Sequence, residues 1–442
     1  MPSALKLLLL CAGLALAGLA VALPGYWQDY SMDIAVYWEA AERMRSGGEH
    51  LYADAEDPHN RVGLYIYPPL LAALMAPVTW LPRGAGYAVW ALAQWLFAAG
   101  ALLAVARMCS RAVWRQGRMD PGLPAFLAPL VVAVFGAAWI NFSEGQVNFL
   151  LLLLLASGLW QLEEGRTLRG GLLLAAAAHL KVIPIVLLLV LLAQRRFKAA
   201  LAMLAGCALL WLLPLVWTVP AHGLDGLGRN VQLSREYTEL IVSPHARTQS
   251  PDNLGGVRAP NNSLGAVVNR YFGDGQRLSN DLPERAPLLF TAPEPLRKWG
   301  GFGLGCLLFG AALVLAALRR DTRHSRNAAA GLALLSAALG NLLFWPHHLA
   351  LLLLALGPLL AAGRTRLAWG LCAAVLLFCF VPMIDRWGGP LAWVQVVGVP
   401  TATVLSVWTC VWITFARRGI AGQAAPPILP RHEETPARDP AA

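Results

Sequence analysis

The sequence predicts an all-α polytopic membrane protein, on two observations. Apolar residues fill 57% of 442 positions and charged ones only 14%, with a mean hydropathy of +0.54, whereas a soluble domain carries about a quarter charged residues. The apolar residues fall in long runs separated by short basic clusters. Those clusters carry the formal net charge of +10, a distribution that signals topology rather than a nucleic-acid surface.

Residues 4–23 form the first run. Leu23-Pro24-Gly25-Tyr26-Trp27 then puts aromatic rings where an interfacial belt belongs. The run is therefore expected to stay as a span and not to be removed as a signal peptide. Asp29-Tyr30-Ser31-Met32-Asp33 follows it directly. Tyr67 to Leu81 is apolar but too short to span, and it holds Pro68, Pro69 and Pro77. If it crossed, run 86–107 would deliver the arginines of 107–118 to the outside. It is expected to be a re-entrant or interfacial element on the outer side.

The clusters Arg107 to Arg118, Gln194 to Lys198, Arg319 to Arg326, Arg364 to Arg366 and Arg417-Arg418 are assigned to the cytoplasm. Successive clusters must then be separated by an even number of crossings. Runs 124–141 and 146–162 make one pair. Run 169–194 has to go out and return, and Lys181-Val182-Ile183-Pro184 divides it into two short helices meeting near the outer surface. Runs 198–219 and 299–318 flank a hydrophilic loop, and 326–343 with 348–362 and 366–383 with 391–415 complete the set. The result is about twelve spans with both termini inside.

This topology makes 1–418 one integral-membrane unit with external loops at about 24–85 and 220–298. In the second loop, Ser263 precedes a helical pattern and suits an N-cap. Residues 419–442, with several prolines and Glu433-Glu434, are expected to form a disordered cytoplasmic tail. Cys11, Cys207, Cys306, Cys372, Cys379 and Cys410 lie in hydrophobic runs and Cys109 beside a basic cluster. Neither a disulfide framework nor a CxxC metal site is indicated.

The unusual polar residues then collect on the outer side: Asp29 and Asp33, Glu144, Gln146 and Asn148, His179 and Lys181, and His347 and His348. Each has an ordinary reading as a hairpin cap, an interfacial residue or a lysine reaching lipid phosphate. Their convergence at one depth is what a site at the water–lipid boundary needs. The set suits glycosyl transfer from a lipid-phosphate donor. A carboxylate can take the proton of an attacking hydroxyl, and Lys181, His347 and His348 can stabilise a departing phosphate. Tyr37, Trp38 and Tyr67 are suited to stacking on a sugar ring or lining a lipid groove. Asp29 and Asp33 are four apart and make no DxD triplet, so no nucleotide–metal site is indicated. The alternatives are a transporter or flippase of lipid-linked sugars, which would place ionisable groups in mid-span, and a non-catalytic accessory subunit.

In Asp33-Ile34-Ala35-Val36-Tyr37, Tyr67-Pro68-Pro69, Gly145-Gln146-Val147-Asn148, Lys181 with Pro184, Asn262-Ser263-Leu264 and Trp345 to His348, the chain resembles a known family. These are the polyprenyl-phosphate-dependent glycosyltransferases of the GT-C superfamily, family 87, typified by mycobacterial alpha-1,2-mannosyltransferases of phosphatidylinositol mannoside synthesis. The matching elements run in order from residue 29 to about 350.

The resemblance implies a GT-C fold with external juxtamembrane helices, in the inner (plasma) membrane, with its site facing the periplasm or cell exterior. It also implies a polyprenyl-phosphate sugar donor, usually of mannose, a lipid or glycan acceptor, inversion at the anomeric carbon, and neither metal nor cofactor. By position, Asp33 matches the catalytic aspartate and His347 or His348 the functional histidine. Asp29, Tyr37, Tyr67, Glu144, Gln146, Asn148, Lys181 and Asn262 are the expected substrate-binding residues. Asp29 departs from the family pattern and leaves the choice of base open, although Val36-Tyr37 after Asp33 favours Asp33.

Overall fold

A computed structural model describes residues 33–52, 65–110, 114–115, 118–120, 122–243, 261–273, 288–341, 343–381 and 392–417. The expected first span at 4–23, Asp29 and the tail 419–442 lie outside the described residues. The fold is helical, apart from a two-residue antiparallel ladder that pairs Trp114-Arg115 with Arg118-Met119.

Helices α1 (Asp33–Arg45) and α2 (Pro69–Met75) come first, and α2 runs into a 3-10 turn at Ala76–Trp80. Then come α3 (Arg83–Cys109), α4 (Leu123–Glu144) and α5 (Asn148–Glu163). Helices α6 (Thr167–Leu180) and α7 (Leu187–Ala193) are separated by Lys181 and a 3-10 turn at Ile183–Val186, the break expected from the sequence. They are followed by α8 (Phe197–Trp211), α9 (Leu215–His222) and α10 (Asp225–Glu236). Next are α11 (Leu264–Phe272), α12 (Glu294–Leu318) and α13 (Arg323–Gly340). A 3-10 segment at Pro346–Leu352 leads into α14 (Leu353–Ala361), and α15 (Thr365–Val375), α16 (Ala392–Val396) and α17 (Val399–Ala416) close the chain.

Among the described residues five helical stretches are long and apolar enough to cross a membrane: Arg83–Cys109, Leu123–Glu144, Phe197–His222, Glu294–Leu318 and Val399–Ala416. Shorter apolar stretches, such as Asn148–Glu163 and Thr167–Leu180, pack between them. Side chains sort by face as a bilayer demands. Leu96, Leu201 and Leu307 project outward, while α13, rich in alanine, is buried along most of its length. Small residues allow close helix approach. At Gly305 of α12, an added Cβ would lie 2.4 Å from the Cα of Gly340 in α13.

Polar contacts gather one set of helix ends. Glu163, at the end of α5, accepts from Arg196 before α8 at 2.6 Å and from Arg326 in α13 at 2.5 Å. Nearby, Glu164 pairs with Arg323 at 2.9 Å, and Asn327 donates to the carbonyl of Met108 at 3.0 Å. Arg319 reaches the carbonyl of Ala416 at 2.7 Å. Residues of the basic clusters 194–198 and 319–326 thus meet at one end of the bundle.

The opposite end is capped by α1, α2, α9, α10 and α11. His222 approaches the carbonyl of Gly47 at 3.3 Å, and Trp217 donates to the carbonyl of Ala73 at 3.0 Å. Helix α10 turns several apolar residues outward while Leu233 packs inward. Leu224, just before it, and Leu227 and Val231 within it are exposed. Asn230 is buried and donates to the carbonyl of Trp211 at 3.1 Å. An apolar stripe turned away from the protein is the arrangement of a helix lying on a membrane surface.

Candidate active site

The site is assembled by one tight turn. Helix α4 ends at Gly145, whose φ of 71° is left-handed, a conformation that costs other residues about 1–2 kcal/mol. A Cβ there would also stand 2.6 Å from the Cβ of Ile34, so the α4–α5 turn touches the first turn of α1. Trp90 of α3 donates to the carbonyl of Gly145 at 2.8 Å and fixes the same turn from the other side. Gly145→Ala is expected to push α1 away from the turn. Activity should fall at least about tenfold, in line with the sensitivity of catalysis to small misplacements, and the melting temperature should drop. Unchanged kcat/KM would show that this contact does not place Asp33.

The Tyr67 backbone is held on a second side. Tyr52 donates to its carbonyl at 2.9 Å, and Tyr65 donates to the carbonyl of Pro68 at 2.9 Å while accepting from the Ala72 N–H. Lys181 is extended, with φ −141° and ψ 136°, because α6 stops at Leu180 before the turn containing Pro184. Its side chain thereby leaves the helical register.

Between these elements lies a continuous polar network. The Tyr37 hydroxyl donates to that of Tyr67 at 2.8 Å, and both lie near Gln146 Oε1, at 3.3 and 3.4 Å. Asn148 Nδ2 donates to Asn141 Oδ1 at 2.9 Å, and Asn141 Nδ2 donates to the carbonyls of Ala137 and His347. Lys181 Nζ donates to Asn148 Oδ1 at 2.7 Å, lies 3.0 Å from His348 Nε2 and sits 5.5 Å above the Tyr67 ring. His347 Nδ1 is 3.3 Å from Glu144 Oε2.

Asp33 is partly exposed as a residue, yet its carboxyl group is enclosed by protein. Burial, aided by the charge of Glu144 and opposed by that of Lys181, pushes its pKa up to about 7. Lys181, outside the two helices it joins, is pushed down to about 8 by burial, against the pull of Asp33. The carboxylate and the amine therefore feel each other's charge, although 148 positions separate them in sequence (181 − 33).

The structure thus brings together Asp33, Tyr37, Tyr67, Glu144, Gln146, Asn148, Lys181, His347 and His348. Asn262 stands next to this group. Its N–H donates to the carbonyl of Phe344 at 2.8 Å, and the Phe344 ring is 5.8 Å from that of His348. The buried Asn262 Oδ1 has no partner among the described residues.

Two residues expected here are elsewhere. His179 hydrogen-bonds the carbonyl of Cys207 at 2.9 Å and so ties α6 to α8. Trp38 packs edge-on against Tyr87 at 5.6 Å and is buried there, not offered to a sugar. Asn141 and Trp90 carry functions the sequence reading did not assign. The seven-residue spacing of Asn141 and Asn148 was the available signal for the first; a tryptophan in an apolar run gives none. Among the described residues, no group of three or more His, Cys, Asp or Glu is placed to hold a metal ion.

Residues 65–346 match the model of glycosyltransferase family 87. The chain belongs to glycosyltransferase family 87. The match starts beyond Asp33 and stops one residue short of His347, so those positions rest on the geometry above. Two relatives are described as polyprenol-phosphate-mannose-dependent alpha-(1-2)-phosphatidylinositol mannoside mannosyltransferases. That of Mycobacterium tuberculosis is 32% identical over 244 residues, covering 50% of this chain and 55% of the relative. That of Mycolicibacterium smegmatis is 31% identical over 221 residues, covering 45% and 49%. The chain spans about half the length of these relatives. This member of glycosyltransferase family 87 has helices long and apolar enough to cross a membrane.

Proposed function

We propose that this family 87 protein transfers a hexose, mannose by likeness to its relatives, from a polyprenyl-phosphate donor to a lipid or glycan acceptor. The reaction takes place at the extracytoplasmic face of the plasma membrane. The observation that carries the reading is the meeting of a carboxylate, an amine and an imidazole at the bundle end opposite the arginine clusters. The described helices are read as eleven crossings, which residues 4–23 raise to about twelve. Segments 24–85 and 220–298 are read as external, and 419–442 as a cytoplasmic tail.

In this mechanism Asp33 is the general base. Its carboxylate takes the proton of the acceptor hydroxyl as the oxygen bonds to the anomeric carbon. The bond from that carbon to the phosphate oxygen breaks on the opposite face, which inverts the centre, and the phosphate leaves with the electron pair. Lys181 and His348 face the developing charge, with no metal required. His347, oriented by Glu144, and Asn262 Oδ1 are placed to hold sugar hydroxyls. Tyr37, Tyr67, Gln146 and Asn148 fix the positions of these groups. Asp29 is assigned to substrate binding on its sequence position alone.

A pKa matched to the working pH is what a general base needs. Asp33 acts as a carboxylate, so kcat/KM should rise with pH through about 7. Lys181 acts as an ammonium, so kcat/KM should fall above about 8. A rate–pH profile of the purified enzyme in EDTA tests both limbs. An acid limb near pH 4 would contradict the raised pKa of Asp33, and loss of activity in EDTA would require a metal. Mass spectrometry of the lipid and envelope-glycan fraction of a deletion strain should show a species one hexose short. An unchanged fraction would contradict the transferase reading.

A further inference from the structure

The hydrogen-bond pattern at His348 constrains the charge on Lys181. The Trp345 N–H donates to His348 Nδ1 at 3.1 Å, so Nδ1 presents a lone pair and the neutral ring carries its hydrogen on Nε2. That Nε2 lies 3.0 Å from Lys181 Nζ. An ammonium has only donors, and against Nε2–H it would set hydrogen against hydrogen. A neutral amine offers a lone pair.

The second contact of Lys181 demands a donor. Asn148 presents Oδ1 to Nζ at 2.7 Å, and its amide is held in that orientation by Nδ2 donating to Asn141 Oδ1. Asn141 is held in turn by the carbonyls of Ala137 and His347. One acceptor towards His348 and one donor towards Asn148 describe an amine, not an ammonium.

We propose that in mildly alkaline solution Lys181 is a neutral amine before the donor binds, accepting the Nε2–H of His348, and takes up one proton as the donor's phosphate enters. The proposal rests on the reading that this pocket receives the donor phosphate. The proton comes from solvent: –NH2 and H⁺ give –NH3⁺, and no covalent bond to His348 changes. The ammonium then turns from His348 to the anion, and the released Nε2–H becomes a second donor to the same phosphate.

The groups facing Lys181 are Asp33 from α1, Tyr67, Asn148 and His348, with Tyr37, Glu144 and His347 behind them. Asp33 and the Tyr67 face favour the ammonium; burial and the His348 N–H oppose it. A phosphate adds the negative charge that reverses the balance. Until then the site is spared an ammonium enclosed beside lipid.

The test is calorimetry of the full chain in detergent at pH 8.5, titrated with farnesyl methyl phosphate. This phosphodiester has a single charge that does not titrate near neutrality. Buffers of different ionisation enthalpy report protons taken up on binding. The expected uptake is about one-half to one proton per ligand, retained in Asp33→Asn and absent in Lys181→Arg. Binding without uptake overturns the proposal. So does uptake that vanishes in Asp33→Asn and persists in Lys181→Arg, because the proton then goes to the carboxylate. If the arginine variant binds nothing, the Kd of Asp33→Asn decides between pH 8.5 and 9.5. A rise approaching tenfold supports the proposal, and a flat Kd overturns it. If the parent binds no probe at all, the donor-site reading itself fails, and this proposal falls with it.

Discussion

Replacing Asp33 with asparagine should reduce kcat/KM by about 10²–10⁴-fold, the range general-base catalysis supplies, while the protein inserts and folds normally. The substitution keeps size and shape and removes only the ionisable proton acceptor. It also carries a stability signature of the opposite sign. The carboxyl of Asp33 is raised from 3.8 to about 7 by the fold, so its ionised form opposes folding. That penalty is absent below the unfolded pKa and complete above the folded one. Asp33→Asn should therefore melt higher than the parent above pH 7, with the gain shrinking as pH falls towards 4. Lost activity with gained stability is the pattern of a functional group held at a cost. Retained turnover would remove the general-base assignment.

Lys181→Ala should raise the KM for the lipid donor by about 30-fold or more. That corresponds to the lower end of the 2–5 kcal/mol lost when one partner of an enclosed charge pair is removed. The KM for the acceptor should change far less, because the amine faces the phosphate side of the reaction. The two KM values measured in one preparation give the answer. Equal effects on donor and acceptor would mean that Lys181 supports the architecture and does not bind the donor. The lysine also donates to Asn148, so a general loosening of the network is the outcome this comparison separates.

Much of this site is legible in the chain because polar residues are conspicuous in an apolar sequence. Asp33, Glu144, Lys181 and His348 could be picked out by type and by their distance from the arginine clusters. Their register could not. His179 and Lys181 are two residues apart, yet one faces Cys207 of α8 and the other Asn148. The reason is that the helix ends between them, and an extended residue redirects its side chain. Tyr37 and Trp38 are adjacent on α1, where successive side chains point about 100° apart. One therefore enters the network, and the other fills the space beside Gly86 of α3.

Crossing lengths were blurred for a related reason. Helix α6 has 14 residues and α5 has 16, short of the ~20 that a lone span requires. Such helices persist because their neighbours bury the broken backbone that extends them. Hydropathy registers apolar length, not the packing that permits a break. The close approach of Asn141 to His347 is likewise a property of the assembled bundle. Neither short segment carries a sign of the other.

The most direct test is a cryo-electron microscopy structure of the full chain with a non-hydrolysable polyprenyl-phosphate sugar bound. The phosphate should lie within about 3 Å of Lys181 Nζ and His348 Nε2, a hydrogen-bonding distance, with the far face of the anomeric carbon open towards Asp33. A phosphate held by the arginines around Glu163, or an anomeric carbon turned away from Asp33, would contradict the account.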